Sequence, residues 1–181
     1  RTGLPAATWR MLNYGVLPSK WTTAKITDSI GMLETYSVVD KALADLNGDA
    51  PQFRLSEDMA FLEGMSQQMA STIFYGNTQV NPERFMGLSP RYNATSTTVA
   101  QSAANVIDMG GTTSTCTSIW GITWGARTCH MIFPKGGKGG FTMKDKGDVQ
   151  SVVDANGAMY EAYRTHFKWD NGLTLRDWRY V

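Results

Sequence analysis

Cys129 and His130 are the residues whose types come nearest to nucleophilic chemistry. A thiol becomes a useful nucleophile when a base stands within hydrogen-bond reach. Thr128 to Phe133 reads as a strand, and neighbours on a strand point to opposite faces, so these two cannot serve one another. His166, the other histidine, lies on a different expected strand. Cys116 completes a set of two cysteines and two histidines whose scattered spacings match no zinc pattern and contain no CxxC pair. Both histidines are therefore expected in packed or surface roles. Both cysteines are expected to be reduced and without function, because two cannot form a dense disulfide framework.

Pro134-Lys135-Gly136-Gly137-Lys138-Gly139-Gly140 follows a strand and looks superficially like a phosphate loop. It lacks the GxxxxGK[ST] spacing, and no helix is expected after it to cradle an anion. With Lys144 and Lys146 it reads as a mobile basic loop between strands. Glu57, Asp58 and Glu63 lie on an expected helix. Capping and solvation account for the first two, and Glu63 is placed to pair with a basic residue of another subunit. No carboxylate pair has the arrangement that glycoside hydrolysis needs. The expectation is a protein with no catalytic residue, no cofactor and no metal site.

The whole composition points the same way. The 181 residues suffice for one domain with a real core. Lys plus Arg number 17 and Asp plus Glu 16, a net charge of +1, which gives no general attraction to nucleic acid or to an anionic membrane. Only 18% of residues are charged, while 10 Met, 6 Trp, 7 Tyr and 7 Phe are generous. A surface so poor in charge suits an assembly better than a free monomer. No run of 18 apolar residues is present, so no transmembrane helix is expected. The chain begins with Arg1 and stops at Val181 inside an expected strand, and so is expected to be part of a longer or processed polypeptide.

Four stretches must position whatever this protein uses. Residues 1–36 are β-prone but polar on both sides, with a turn at Gly15 to Pro18, and read as a long hairpin that needs another surface to lie on. In the second stretch Ser37-Val38-Val39-Asp40 reads as a capping box. A short helix follows through Val39, Ala42, Leu43 and Leu46 to Asn47-Gly48. Ser56-Glu57-Asp58 opens a longer helix with the stripe Leu55, Met59, Leu62, Met65, Met69 and Ile73, stopped by Gly76. That stripe is expected to pack on the sheet of the same subunit. Residues 76–117 read as loop. Residues 118–181 read as strands at Ile119 to Trp124, Thr128 to Phe133, Ala158 to Trp169 and Leu173 to Val181, the last two joined by Asp170-Asn171-Gly172 as a hairpin turn.

The order of these elements resembles the tailed-phage major capsid protein family of the Hong Kong 97-type fold. The resemblance is carried by Arg1-Thr2-Gly3-Leu4-Pro5, Thr8-Trp9-Arg10, Asn13-Tyr14-Gly15-Val16, Gly31-Met32-Leu33-Glu34 and Val39-Asp40-Lys41. Phe74-Tyr75-Gly76-Asn77, Phe85-Met86-Gly87-Leu88 and Tyr160-Glu161-Ala162-Tyr163-Arg164-Thr165-His166 add to it. The set is similar to the major structural proteins of podophages and siphophages. It implies an α+β chain with an extension-loop region over residues 1–36. Peripheral-domain helices, including a spine helix, would occupy 37–92, and 93–181 would be mainly axial domain, returning to peripheral-domain strands.

The resemblance further implies a structural, non-enzymatic protein that self-assembles into an icosahedral shell around double-stranded DNA. Its expected partners are copies of itself in hexamers and pentamers, with scaffolding, portal and decoration proteins beside them. DNA would meet the inner face without sequence specificity, and no membrane partner is implied. The place would be the virion, after assembly in the host cytoplasm. Arg10, Lys20, Trp21, Lys25, Ile26 and Ile30 of the extension loop would contact a neighbouring subunit. Some members carry a Lys–Asn isopeptide crosslink, but nothing around Lys20 or Lys25 signals one, and a non-covalent shell is expected. The rival expectations are an encapsulin-like compartment with an enzyme cargo and, more remotely, a nucleotide- or sugar-handling enzyme using the Gly-Lys loop.

Overall fold

The computed structural model describes residues 3–46, 48–111, 117–147 and 149–181. Arg1, Thr2, Asn47 and Cys116 lie outside these ranges. One strand organises the rest. β5, Met159–Leu175, is 17 residues long and pairs antiparallel with β1 (Gly31–Asp40), β2 (Cys129–Ile132), β3 (Phe141–Asp145) and β4 (Gln150–Val153). β1 runs from Gly31 opposite Asn171 to Asp40 opposite Ala162. β3 takes Trp169 to Thr165, and β4 takes Ala162 to Met159.

The expected turn at Asp170-Asn171-Gly172 is not a turn. These residues lie inside β5, where Asn171 pairs with Gly31 and Gly172 with Ile132. Turn-forming residue types sit here because of a close approach: a Cβ on Gly172 would stand 2.5 Å from the Ser29 carbonyl oxygen. The strand expected over Leu173 to Val181 correspondingly ends at Leu175, and a short 3-10 turn occupies Trp178–Tyr180. Ile119 to Trp124 forms no strand either, apart from an isolated bridge between Trp124 and Cys129. The true hairpin is β4–β5. There Asp154 Oδ1 accepts from the backbone N–H of Asn156 at 2.8 Å and of Ala158 at 2.9 Å, and Gly157 takes φ +86°.

Ser37 to Asp40 is the end of β1 rather than a capping box, because Ser37 and Val39 point into the core. Asp40 alone does the capping, its Oδ1 accepting from Ala42 N–H at 2.8 Å at the start of α1 (Lys41–Leu46). α2, Ala50–Tyr75, is 26 residues long and starts six residues before the expected Ser56. Asp49 caps it by accepting from Gln52 N–H at 3.2 Å, and Pro51 fits the first turn, where no backbone donor is needed. Gly76 ends it as expected, its N–H bonded to Thr72 O at 2.9 Å.

β1 alternates strictly, with Leu33, Thr35, Ser37 and Val39 on the more buried side. Opposite them on β5 stand Trp169, Phe167, Thr165 and Tyr163, and α2 lies on this face. Arg54 of α2 ties it down by an ion pair to Asp145 at 2.9 Å and by lying over the Tyr163 ring at 4.8 Å. The hydrophobic core sits under the last turns of α2, where Met69, Phe85, Leu88, Tyr92, Cys129 and Leu173 close on one another. The chain after α2 returns across the helix end so closely that a Cβ on Gly87 would stand 2.6 Å from Thr72 O. Leu88 N–H bonds back to Ile73 O at 2.9 Å, which fixes the turn that delivers Phe85 and Leu88 to the core.

The apolar stripe of α2 divides. Met65 and Met69 are buried, Leu62 is half-buried, but Leu55 and Met59 are 55% and 64% exposed. Only the second half of the expected stripe packs inside this subunit. In the first half the helix turns a different face to the body, with Arg54 on the sheet and Asp58 buried, and leaves Leu55 and Met59 in water.

Candidate functional site

Residues 3–30 form an arm that the body does not cover. Every residue from Leu4 to Thr27 is exposed, including Trp9, Leu12, Leu17 and Trp21. The two limbs of the arm approach one another without forming a ladder. A single bridge joins Gly3 and Thr22, and Ser19 Oγ donates to Ala6 O at 2.9 Å. The reversal falls at Asn13, with φ +64° and Tyr14 N–H bonded to Met11 O at 3.3 Å, two residues before the expected turn at Gly15. An isolated pair of extended limbs in water is marginal at best, so this one lacks the surface that would order it. Large apolar side chains left in water over such a length mark an interaction surface.

All six residues expected to meet a neighbour lie on this arm. Arg10, Lys20 and Lys25 are exposed, as are Trp21 at 62% and Ile26 at 65%. Ile30 sits at the root, 37% exposed, with its Cγ1 3.2 Å from where a Cβ of Gly172 would stand. The limbs carry these residues along the arm rather than gathering them into one cluster.

The root is built differently. Asp28 Oδ1 accepts from Arg91 Nη2 at 2.8 Å, and Ser29 crosses β5 at the side-chain-free face of Gly172. Gly31 enters β1 beside the Glu83 carbonyl, 3.1 Å from where its Cβ would stand. Between the arm and the body lies an open cleft of about 1330 Å³, walled by Ile26 and Thr27 on one side and by Pro82, Gln101 and Trp178 on the other.

Asp58, expected to be a solvated acid in the first turn of its helix, is instead buried in the third turn of α2, with no hydrogen-bond partner for Oδ1 among the described residues. Cys129 is a free, fully buried thiol facing the core, and burial pushes its pKa up, away from thiolate reactivity. His130 is half-buried on the neighbouring strand position, with no hydrogen-bond partner for Nδ1 among the described residues. The Gly-Lys loop lies between β2 and β3, with positive φ at Gly136 and Gly140, and runs directly into a strand. Among the described residues no three metal-binding side chains come together. No helix among them is long and apolar enough to cross a membrane.

His166 has a setting that the sequence reading missed. Tyr36 stacks on its ring at 4.4 Å, and Nε2 stands 3.0 Å from Glu34 Oε2. Lys168 Nζ lies 3.0 Å from the other Glu34 oxygen and 3.3 Å from Asp170. Hydrogen bonds from Lys168 and then His166 hold the Glu34 carboxyl below its ordinary pKa. These residues share the sheet face away from α2, as the register pairs Tyr36 with His166 and Glu34 with Lys168. Two-residue spacing within each strand was the available signal, but it needed the pairing of strands 132 residues apart.

An uncovered arm on a helix-and-sheet body defines the class first: a mixed helix-and-sheet subunit. A family model described as major capsid protein GP7 matches residues 1–181, and the chain belongs to that family. The chain is also similar to one in a solved structure entitled "Validated Near-Atomic Resolution Structure of Bacteriophage Epsilon15 Derived from Cryo-EM and Modeling". Identity is 43% and the TM-score 0.60, over 99% of this chain and 53% of that one. The present chain thus spans about half the length of that relative. Comparison with curated proteins gives no match.

Proposed function

We propose that this chain is the assembling portion of a major capsid protein that builds the icosahedral shell around a phage's double-stranded DNA. The observation that carries this reading is the arm: 24 consecutive exposed residues, from Leu4 to Thr27, rooted firmly in a folded body. Extended limbs whose large apolar side chains stand in water in their own subunit gain cover on a neighbour. Repetition around a shell makes each such contact collectively strong. Membership of the major capsid protein GP7 family and likeness to a bacteriophage Epsilon15 chain support the same conclusion.

In this reading the fold is of the Hong Kong 97 type, with α2 as the spine helix. Residues 1–36 are the extension-loop region, 37–92 the peripheral-domain helices, and 93–181 mainly the axial domain with a return to peripheral-domain strands. Arg10, Lys20, Trp21, Lys25, Ile26 and Ile30 contact an adjacent subunit in hexamers and pentamers without a covalent crosslink. The protein is structural rather than enzymatic, is assembled in the host cytoplasm and resides in the virion. Scaffolding, portal and decoration proteins are its further partners, and DNA meets the inner face without sequence specificity. Negative-stain microscopy of the full-length protein expressed alone tests the proposal. Closed shells or tubes are the expected outcome. A monodisperse monomer at every concentration would overturn it.

A further inference from the structure

We infer that the Asp28–Arg91 ion pair is a latch that sets the direction in which the arm leaves the body, so both are positioning residues for assembly. This rests on the reading of the arm as the contact between subunits.

The receptor half of the latch is built by the body. Arg91 Nη2 donates to Met86 O and to Leu173 O, both at 3.2 Å, and Nε donates to Gly87 O at 3.2 Å. Ser102 Oγ holds the Arg91 carbonyl at 3.2 Å. These partners belong to the return loop after α2, to β5 and to the 3-10 turn Gln101–Asn105, so the guanidinium is aimed without help from the arm. Nη2 has two N–H groups for Met86 O, Leu173 O and Asp28 Oδ1, so one N–H is shared between two of these acceptors. Carbonyls do not neutralise the charge, however. Asp28 does, at 2.8 Å, and the two side chains are only 11% and 14% exposed. Asp28 is the one acidic residue among residues 3–30. The arm therefore carries its single carboxylate at the point where it meets a prepared cation, and three cations, Arg10, Lys20 and Lys25, farther out.

Position along the chain makes this pair directional. On the body side of Asp28 the backbone is pinned by the Ser29–Gly172 crossing and by β1. On the outer side every residue from Leu4 to Thr27 is exposed, and the limb stands off across the cleft. The fifteen residue-to-residue steps from Asp28 to Asn13 reach at most ~50 Å when extended. A rotation of about 10° at the root would then move the reversal by ~9 Å, more than the width of a side-chain contact. Without the carboxylate, the nearest restraint on rotation about the Asp28–Ser29 backbone is the Ser29–Gly172 crossing one residue away. The latch thus acts on a lever whose far end must meet another copy.

Asp28 is the residue to change, because Arg91 also holds body carbonyls. In the full-length protein, Asp28→Ala and Asp28→Asn are expected to lower the melting midpoint of the free subunit, because the nearly buried Arg91 keeps its charge with no carboxylate beside it. Amide hydrogen exchange of residues 31–34, the start of β1 beside the root, should rise roughly tenfold, and the concentration for half-assembly should rise by about the same factor. Asp28→Glu should recover most of both. Unchanged exchange at 31–34 would show that the pair does not hold the root and would overturn the latch. Faster exchange with unaltered assembly would overturn its positioning role while leaving the arm reading intact. Failure of the wild type to form particles would instead defeat the shell reading, and exchange in the free subunit would still decide the latch.

Discussion

The two halves of α2 carry the same apolar periodicity and meet different surroundings. Met65 and Met69 close on the core with Phe85, Leu88 and Leu173, whereas Leu55 and Met59 are left in water. The arm and β5 make the same contrast on a larger scale. Both are long and extended, but β5 has a partner strand along nearly its whole length and the arm has one bridge. Sequence periodicity says which residues share a face. Whether that face is covered depends on what else arrives there. If the chain assembles as proposed, the cover for some faces belongs to another copy.

Charge introduced on the two halves of α2 is the strongest way to break this comparison. Met69→Asp buries an unpaired carboxylate beside Leu88 and Leu173 and should cost more than about 3 kcal/mol, enough to abolish cooperative melting of the free subunit. Met59→Asp should shift free-subunit stability by no more than about 0.5 kcal/mol, because the side chain is already in water. Leu62→Asp, at the border, should fall between them. A chemical denaturation series on the three variants orders the effects. Equal costs at Met59 and Met69 would mean that both halves are buried in the subunit itself.

Removal of the arm comes next, large for assembly and small for folding. Replacing residues 4–26 with a short Gly-Ser turn keeps Asp28, the root and β5. The body should then melt within about 1 kcal/mol of wild type, since these residues add almost no burial, and closed particles should vanish. Calorimetry of the free subunit and microscopy of the assembly reaction read the two halves separately. Normal shells from this variant would remove the arm from the contact between subunits.

A milder probe compares two glycines. At Gly172 a Cβ would meet Ser29 O at 2.5 Å and Ile132 Cγ1 at 3.0 Å, so Gly172→Ala must push the arm root off β5 and should cost about 1–3 kcal/mol. At Gly64, inside α2, nothing lies within 4 Å of the Cβ position, and Gly64→Ala should stabilise by about 0.5–1 kcal/mol through helix propensity. Opposite signs in thermal melts are the expected result.

Gly172 also explains what the sequence concealed. Asp-Asn-Gly is a strong turn signal, because turns favour those residue types. The same types serve where two backbones cross, and only the partner segment at Ser29 tells the two uses apart. The second half of the α2 stripe, the Gly76 stop and the strand at Cys129–Ile132 were legible because each depends on local periodicity or on a single residue. Ile119 to Trp124 was not, since a run of aromatic and β-branched residues becomes a strand only where an edge is available, and β5 is already occupied near Cys129. The exposed arm was legible as a polar extended segment without a core. Its latch was not, because Asp28 and Arg91 are 63 residues apart and neither belongs to a motif.

The smallest expected effect concerns acid, and it compares two carboxylates placed in the two kinds of surroundings. Asp177 is nearly buried and bonded to Arg179 Nε at 2.8 Å, which holds its carboxyl below the ordinary value. Glu34 is held low by Lys168 and His166 but lies on the open sheet face, with its side chain 35% exposed. In each case the folded-state pKa lies below that of the unfolded chain, so the unfolded state takes up protons first as pH falls. The stabilisation is therefore complete above the ordinary carboxylate range and is lost as pH drops through the lowered folded value. Melting midpoints should hold steady near pH 6 and decline below about pH 4. Asp177→Asn should lower the plateau and flatten that decline. Glu34→Gln should do the same by less, because solvent screens an exposed pair, and moderate salt should erase most of its effect while sparing that of Asp177. A larger acid dependence from Glu34 than from Asp177 would show that the outer sheet face is shielded from water, and hence covered, in the free subunit.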